Sequence, residues 1–191
     1  MGWQMKMRLA IPCTVLCLLM LAAGTVRAAQ YDLEVSKSER LLKVKQGDRT
    51  IKTYHIAFGR GGKGSKREMG DNKTPQGIYR IVSFKADSKF FYFMQLDYPN
   101  LTDAWHGYKD RLISAQDFLR IATAYRDGAL PPQNTMLGGY IGIHGIGEMT
   151  RRKLAIHTRF NWTEGCIAMR NEEIRDLRHY VSIGTRVIIG D

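Results

Sequence analysis

The sequence predicts a mainly β domain carrying α-helices, preceded by a separate apolar leader. Short runs of alternating apolar and polar residues, divided by turn residues, recur from Tyr31 onward. Apolar residues at helical spacing stand out in two places, after Ser114 and after Asn171. The one long apolar run, Leu9 to about Ala23, lies at the beginning of the chain.

That first run reads as a secretory signal. Lys6 and Arg8 precede it, and Val26 and Ala28 supply the small residues a signal peptidase requires. The run is short for a bilayer span, which needs about 20 apolar residues. Cys17 follows Leu16, whereas a lipidation signal wants a small residue there. Residues 1–28 are therefore expected to be cleaved rather than kept as an anchor. Cleavage leaves residues 29–191 as one domain with no stable membrane span, exported to the periplasm or cell envelope. Loss of Lys6, Arg8 and Arg27 takes Lys and Arg from 29 to 26 against 18 acidic residues, a net charge of +8. Such a balance favours a polyanion such as wall polymer, anionic lipid or nucleic acid, or else serves solubility. No nucleic-acid-binding motif is present, so nucleic acid is not an expected partner.

The elements follow in order. "YDLEVSKSERLLKVKQGDRTIKTYHIAF" reads as three strands of an antiparallel meander, with Leu33 and Val35, Leu42 and Val44, and Tyr54, Ile56 and Phe58 alternating. Gly59–Gly77 is a basic, glycine-rich connection. Its literal GxGxxG, at Gly59, Gly61 and Gly64, opens no helix, because Gly70, Asp71, Asn72 and Pro75 all break one. A dinucleotide site is thereby excluded, and a mobile cationic loop is expected. "GIYRIVSFK" and "FFYFMQLDYP" are further strands. Residues 105–137 form a helical insertion: Ser114 with Asp117 resembles an N-cap, and Phe118, Leu119, Ile121, Ala122 and Tyr125 follow at helical spacing until Gly128. That apolar face reads as core packing, with a lid over a cleft as the alternative. "GGYIGIHGIG" returns to a strand, with Ile141 and Ile143 on one face and Gly142 and His144 on the other. Asn171 caps a second helix with Glu172 and Glu173 in its first turn, Ile174, Leu177 and Val181 bury one side, and "TRVIIGD" closes as a strand.

Cys13 and Cys17 fall in the leader, so Cys166 stands alone in the remaining domain. A lone thiol in an exported chain is a buried small apolar residue, an intermolecular link or a nucleophile. Cys166 follows Gly165 and is expected just before a helix start. There, backbone N–H groups lower a thiol pKa and can bind an oxyanion. A cysteine nucleophile needs a base. His179 reads as a surface residue late in a helix, His55 as exposed on an outer strand, and His106 as part of the insertion. His144, ending a buried strand beside Gly145, is the expected base, with His157 as second choice. A zinc site built from Cys166, His144 and His157 would lack a fourth ligand and the usual paired spacing. No metal or cofactor is expected.

These residues carry a resemblance. "IGIHG" at Ile141–Gly145 followed by "TEGCIAM" at Thr163–Met169 resembles the signature of the L,D-transpeptidase (YkuD-like) catalytic domain family, where a histidine precedes a Ser/Thr-x-Gly-Cys element. "GDNKTPQGIY" is similar to that family's Thr-Pro-x-Gly element, and "LDYPN" to its YafK-type branch. Glu164 and Ala168 depart from it, since many members have His or Lys before the Gly-Cys pair and Arg two residues past the cysteine.

The resemblance implies an L,D-transpeptidase-like β-sandwich acting on peptidoglycan stem peptides. Cys166 is then the nucleophile and His144 the general base and acid. The Gly145 carbonyl orients the imidazole. Gly165 and Cys166 offer oxyanion N–H groups, and Thr163 braces the turn. Arg170, Tyr140 and Trp162 are the expected substrate contacts. Lys63, Lys66 and Arg67 are candidates for outer contacts with an anionic polymer. An amine acceptor gives a cross-link or a link to a lipoprotein. Water gives an L,D-carboxypeptidase or a hydrolase of such linkages. A wall-binding module with a structural thiol is the reading from another class.

Overall fold

The computed structural model describes residues 1–2 and 30–191. The leader lies outside them, so its expected cleavage concerns residues beyond the description.

The meander forms as its pattern dictates. Strands β1 (Asp32–Ser36), β2 (Leu41–Gln46) and β3 (Arg49–His55) pair antiparallel, with Leu33 opposite Val44 and Leu42 opposite Tyr54. Those apolar residues are buried, while Glu34, Lys52 and Thr53 face outward or sit at the rim. The closing strand β8 (Arg186–Gly190) lies parallel to β1 and antiparallel to the start of β4 (Gly77–Ser88). β4 is 12 residues long and its register shifts at two places, between Ile81 and Ser83 and between Ala86 and Ser88. Such irregularities bend a strand. Beyond the first, β4 pairs with β5 (Phe91–Leu96), β5 with β6 (Gly142–Gly145), and β6 in parallel with β7 (Ile167–Met169).

The result is an eight-stranded sheet in the order β3-β2-β1-β8-β4-β5-β6-β7. Its ends come together just past β3, where Ala57 exchanges both backbone hydrogen bonds with Ala168 of β7, at 3.0 and 2.7 Å, and Gly59 bridges Thr163. Edge groups that would otherwise be unpaired are thereby satisfied. One core fills the interior, with Leu33, Leu42 and Val187 from one half meeting Met94, Ile143 and Ile167 from the other. The expected two-layer arrangement is thus achieved by one sheet folded at β4.

Among the described residues, four helices decorate the sheet: α1 (Leu101–Lys109), α2 (Ala115–Arg126), α3 (Arg151–Arg159) and α4 (Asn171–Leu177). α2 begins at Ser114, whose hydroxyl accepts the Asp117 N–H, as its sequence predicts. α1 extends the helical insertion back to Leu101, with Asn100 and Asp103 forming a reciprocal capping box. α4 starts one residue early: Arg170 is its N-cap, and the Asn171 side chain instead bonds the N–H and carbonyl of Gly147, at 3.2 and 2.7 Å. α1 and α2 share a small core of Ala104, Ile113, Ile121 and Leu137, separate from the main one. Buried polar bonds tie that unit to the sheet: Tyr79 donates to Asp103 at 2.9 Å, and Tyr98 to the Leu137 carbonyl at 2.9 Å.

Candidate active site

The site stands where β6 and β7 run side by side. His144 lies opposite Ala168 in the parallel register. Cys166 is two residues before Ala168, so its side chain shares the face that His144 occupies. Ala168 is fully buried and held on both sides by backbone pairing. Cys166 is half-buried and its thiol donates to the Tyr140 carbonyl at 3.4 Å. It lines a cavity of about 800 Å³ together with His144, Tyr140, Trp162, Thr163 and Glu164.

His144 is buried, and its Nδ1 faces the Gly145 carbonyl at 2.7 Å. A ring nitrogen against a carbonyl oxygen carries the hydrogen, so Nε2 is left with the lone pair. Burial, more than any neighbour, pushes the imidazole pKa down to about 4; the Gly145 contact opposes this and the Lys89 charge adds to it. Burial likewise pushes the Cys166 thiol up to about 11, against smaller opposing effects of the Gly142 backbone and the Lys66 charge. At neutral pH the site therefore rests as neutral thiol and neutral imidazole. This corrects the expectation of a thiol poised by a helix terminus. The three-residue strand β7 intervenes, and α4 begins only at Asn171.

The turn before the thiol is tightly specified. Gly165 has φ +136°, and a β-carbon there would meet Ile141 Cδ1 at 2.8 Å and the Lys73 carbonyl oxygen at 2.9 Å. Thr163 donates its hydroxyl to the Cys166 carbonyl at 2.6 Å and accepts the Gly165 N–H at 3.3 Å.

Tyr140 and Trp162 are both on the cavity wall. Arg170 is not: it is exposed, 3.9 Å from Glu172, and outside the lining. His157 is buried on α3 behind Trp162, whose indole N–H points at its Nδ1 at 3.5 Å. It does not line the cavity. Lys63 and Arg67 are exposed, but Lys66 is buried, donating to Asp71 at 2.9 Å and the Glu68 carbonyl at 2.8 Å. Lys66 is therefore an inner wall residue rather than an outer contact. The glycine-rich loop it belongs to is held in place by Asp71, which also accepts the N–H groups of Arg67, Glu68 and Lys73. Lys89 and Phe90, at the tip of the β4–β5 hairpin, complete the wall, with Phe90 stacked on His144 at 4.2 Å. Nothing in the strand pattern signals that this tip folds over the histidine. Among the described residues, no group of three or more His, Cys, Asp or Glu could hold a metal ion.

Comparison with known proteins bears on the family and the fold. A family profile, YkuD, the L,D-transpeptidase catalytic domain, matches residues 30–189. The chain is 32% identical over 87 residues to YafK, a candidate L,D-transpeptidase of Escherichia coli (strain K12), covering 42% of this chain and 35% of that one. Its fold is similar to that of Bd1075 of Bdellovibrio bacteriovorus, with a TM-score of 0.52, 22% identity, and 85% and 48% of the two chains covered. It is also similar to the helical cell shape determining protein Pgp2 of Campylobacter jejuni, with a TM-score of 0.54, 20% identity, and 85% and 48% covered. The chain spans about a third of the length of the curated relative and about half of these structures. With the family profile matched over nearly the whole described domain, the chain belongs to the L,D-transpeptidase catalytic domain family.

Proposed function

We propose that the chain is a cysteine acyltransferase of peptidoglycan stem peptides in the periplasm or cell envelope. The observation that carries the reading is one thiol and one imidazole on the same face of β6–β7, in one cavity, with the imidazole Nδ1 fixed by Gly145. His144 Nε2 takes the thiol proton as Cys166 Sγ attacks the carbonyl of the third stem residue. The neutral resting pair means that the proton moves during attack rather than before it. The backbone N–H groups of Cys166 and Gly165 receive the developing oxyanion, Gly165 giving up its long bond to Thr163. The imidazolium then protonates the departing amine, the C–N bond breaks, and a thioester remains on Cys166. Tyr140 and Trp162 contact the stem peptide. An amine acceptor yields a cross-link or a link to a wall lipoprotein. Water yields a tripeptide, the action of an L,D-carboxypeptidase or linkage hydrolase.

The test is incubation with defined muropeptides followed by mass spectrometry. Dimers joined through third residues mean transfer, and tripeptides with free D-alanine mean hydrolysis. No product of either kind, with wall binding undiminished in Cys166→Ala, would leave a binding module instead.

A further inference from the structure

Tyr140 has φ +56°, a left-handed conformation that residues other than glycine seldom adopt. Its side chain is 67% exposed, so packing does not hold it there. The restraint comes from Gln133, whose Oε1 accepts the Tyr140 N–H at 2.6 Å. Gln133 is itself fixed. Its Nε2 donates to the Tyr98 and Pro131 carbonyls, each at 2.8 Å, and its Oε1 also accepts from Gln95 Nε2 at 3.2 Å. Both amide hydrogens and both oxygen lone pairs are thus used. A flipped amide would set Nε2 against the Tyr140 N–H and Oε1 against two carbonyls, so the orientation is unambiguous. The loop also closes backbone to backbone here, since a β-carbon at Gly139 would lie 2.5 Å from the Gln133 carbonyl oxygen.

The other side of Tyr140 faces the nucleophile. Its carbonyl accepts the Cys166 thiol at 3.4 Å. Among the described residues this, and not a bond to His144, is the hydrogen bond that the resting thiol donates. A hydrogen bond to the neutral form of a group opposes its ionisation. The carbonyl therefore keeps the hydrogen on sulfur and holds the sulfur in one orientation until a substrate arrives. A backbone conformation of this kind persists only where its surroundings enforce it.

We propose that Gln133 is a positioning residue for the nucleophile: it holds Tyr140 in the left-handed conformation that turns the Tyr140 carbonyl onto the Cys166 thiol. Gln133 acts through the backbone, because its side-chain amide is fully engaged within the protein. The consequence for turnover rests on the acyl-transfer reading, and the state of the resting thiol does not. During attack the S–H bond breaks, its hydrogen passes to His144 Nε2 and the S–C bond forms, so the bond to Tyr140 is given up in that step.

The experiment reads the S–H stretching band of Cys166 in the infrared, as the difference between each protein and its Cys166→Ala counterpart. The wild type is expected to give a narrow band at lower wavenumber than free cysteine in water. Gln133→Met keeps the side-chain length, loses all four hydrogen bonds, and should move the band up and broaden it. Asn134→Ala, at an exposed side chain of the same loop, should leave the band in place. Glycine takes positive φ without steric cost, so in a Tyr140→Gly background Gln133→Met should move the band less than about half as far. With a disaccharide-tetrapeptide as substrate, Gln133→Met should lower kcat about tenfold and change KM less than about twofold. A wild-type band no lower than that of free cysteine overturns the inference without any variant. So does a band that Gln133→Met leaves in place or moves equally in both backgrounds, or an unchanged kcat. No turnover by the wild type, with the band shifts as expected, overturns the acyl-transfer reading and leaves the positioning of the thiol standing.

Discussion

The β6–β7 wall and the α1–α2 unit are held in opposite ways. β6 and β7 are four and three residues long, and every one of those residues is buried. They have little structure of their own and are fixed by neighbours on both sides, including the Ala57–Ala168 bridge that closes the sheet. The α1–α2 unit carries its own caps and its own four-residue core, and reaches the sheet through a few polar bonds. A catalytic pair needs the first arrangement, because its geometry is then set by the whole domain. The second meets the cavity only beyond its helices, through Gln133, Asn134 and Gly138.

The largest effects should come from the wall. Cys166→Ala is expected to remove turnover by about a thousandfold or more with thermal unfolding little changed, and His144→Ala by about 10²–10⁴-fold with some loss of stability, because it empties a buried site under Phe90. Retained turnover in either variant would separate the pair from the chemistry. Because the thiol is neutral at rest, with its pKa raised to about 11, iodoacetamide labelling of Cys166 should climb about tenfold per pH unit from 7 to 9. A rate flat across that range would indicate a standing thiolate–imidazolium pair.

Stability should then divide the two regions. Leu137→Ala opens a hole in the small core and should cost about 2–5 kcal/mol, read as faster amide exchange in α1 and α2 with β6 and β7 still protected. Equal loss of protection in β6 and β7 would mean that the regions unfold together. A smaller, pH-dependent effect belongs to Asp103, whose burial raises its pKa to about 6. The folded carboxyl holds its proton more tightly than the unfolded one. Its stabilisation is therefore complete below about pH 4 and lost as pH rises through about 6, by at most ~3 kcal/mol. Asp103→Asn should flatten that slope in denaturant titrations. The smallest effect should be His157→Phe: a shift in the Trp162 indole signal and less than about tenfold in rate, since His157 touches the tryptophan and not the cavity.

The contrast also explains what the sequence made legible. β1–β3 announce themselves because alternation alone separates buried Leu33, Val35, Leu42 and Val44 from their polar neighbours. α2 does so through its Ser114 cap and apolar spacing, although only Ile121 of its apolar face is buried and Leu119 and Tyr125 are exposed. α3 does not, because of its nine residues only His157 is buried. α1 buries only Asp103, Ala104 and Gly107, which form no apolar stripe. Cys166 and His144 are visible as a lone thiol and a histidine on a strand. Their surroundings are not, because Phe90, Lys89 and Lys66 reach the cavity through long-range folding that no local period records. The step from Cys166 to a helix start failed for the same reason: a strand as short as Ile167–Met169 exists only because β6 and Ala57 pair with it.

The central claim, that the Cys166 sulfur becomes acylated with His144 as its base, is tested most directly by intact-mass spectrometry of the chain mixed with a disaccharide-tetrapeptide. A transient adduct of the tripeptide acyl group, mapped to Cys166, absent in Cys166→Ala and strongly slowed in His144→Ala, is the predicted result. Product formed with no acyl group on Cys166, or an acyl group that forms as fast without His144, would contradict it.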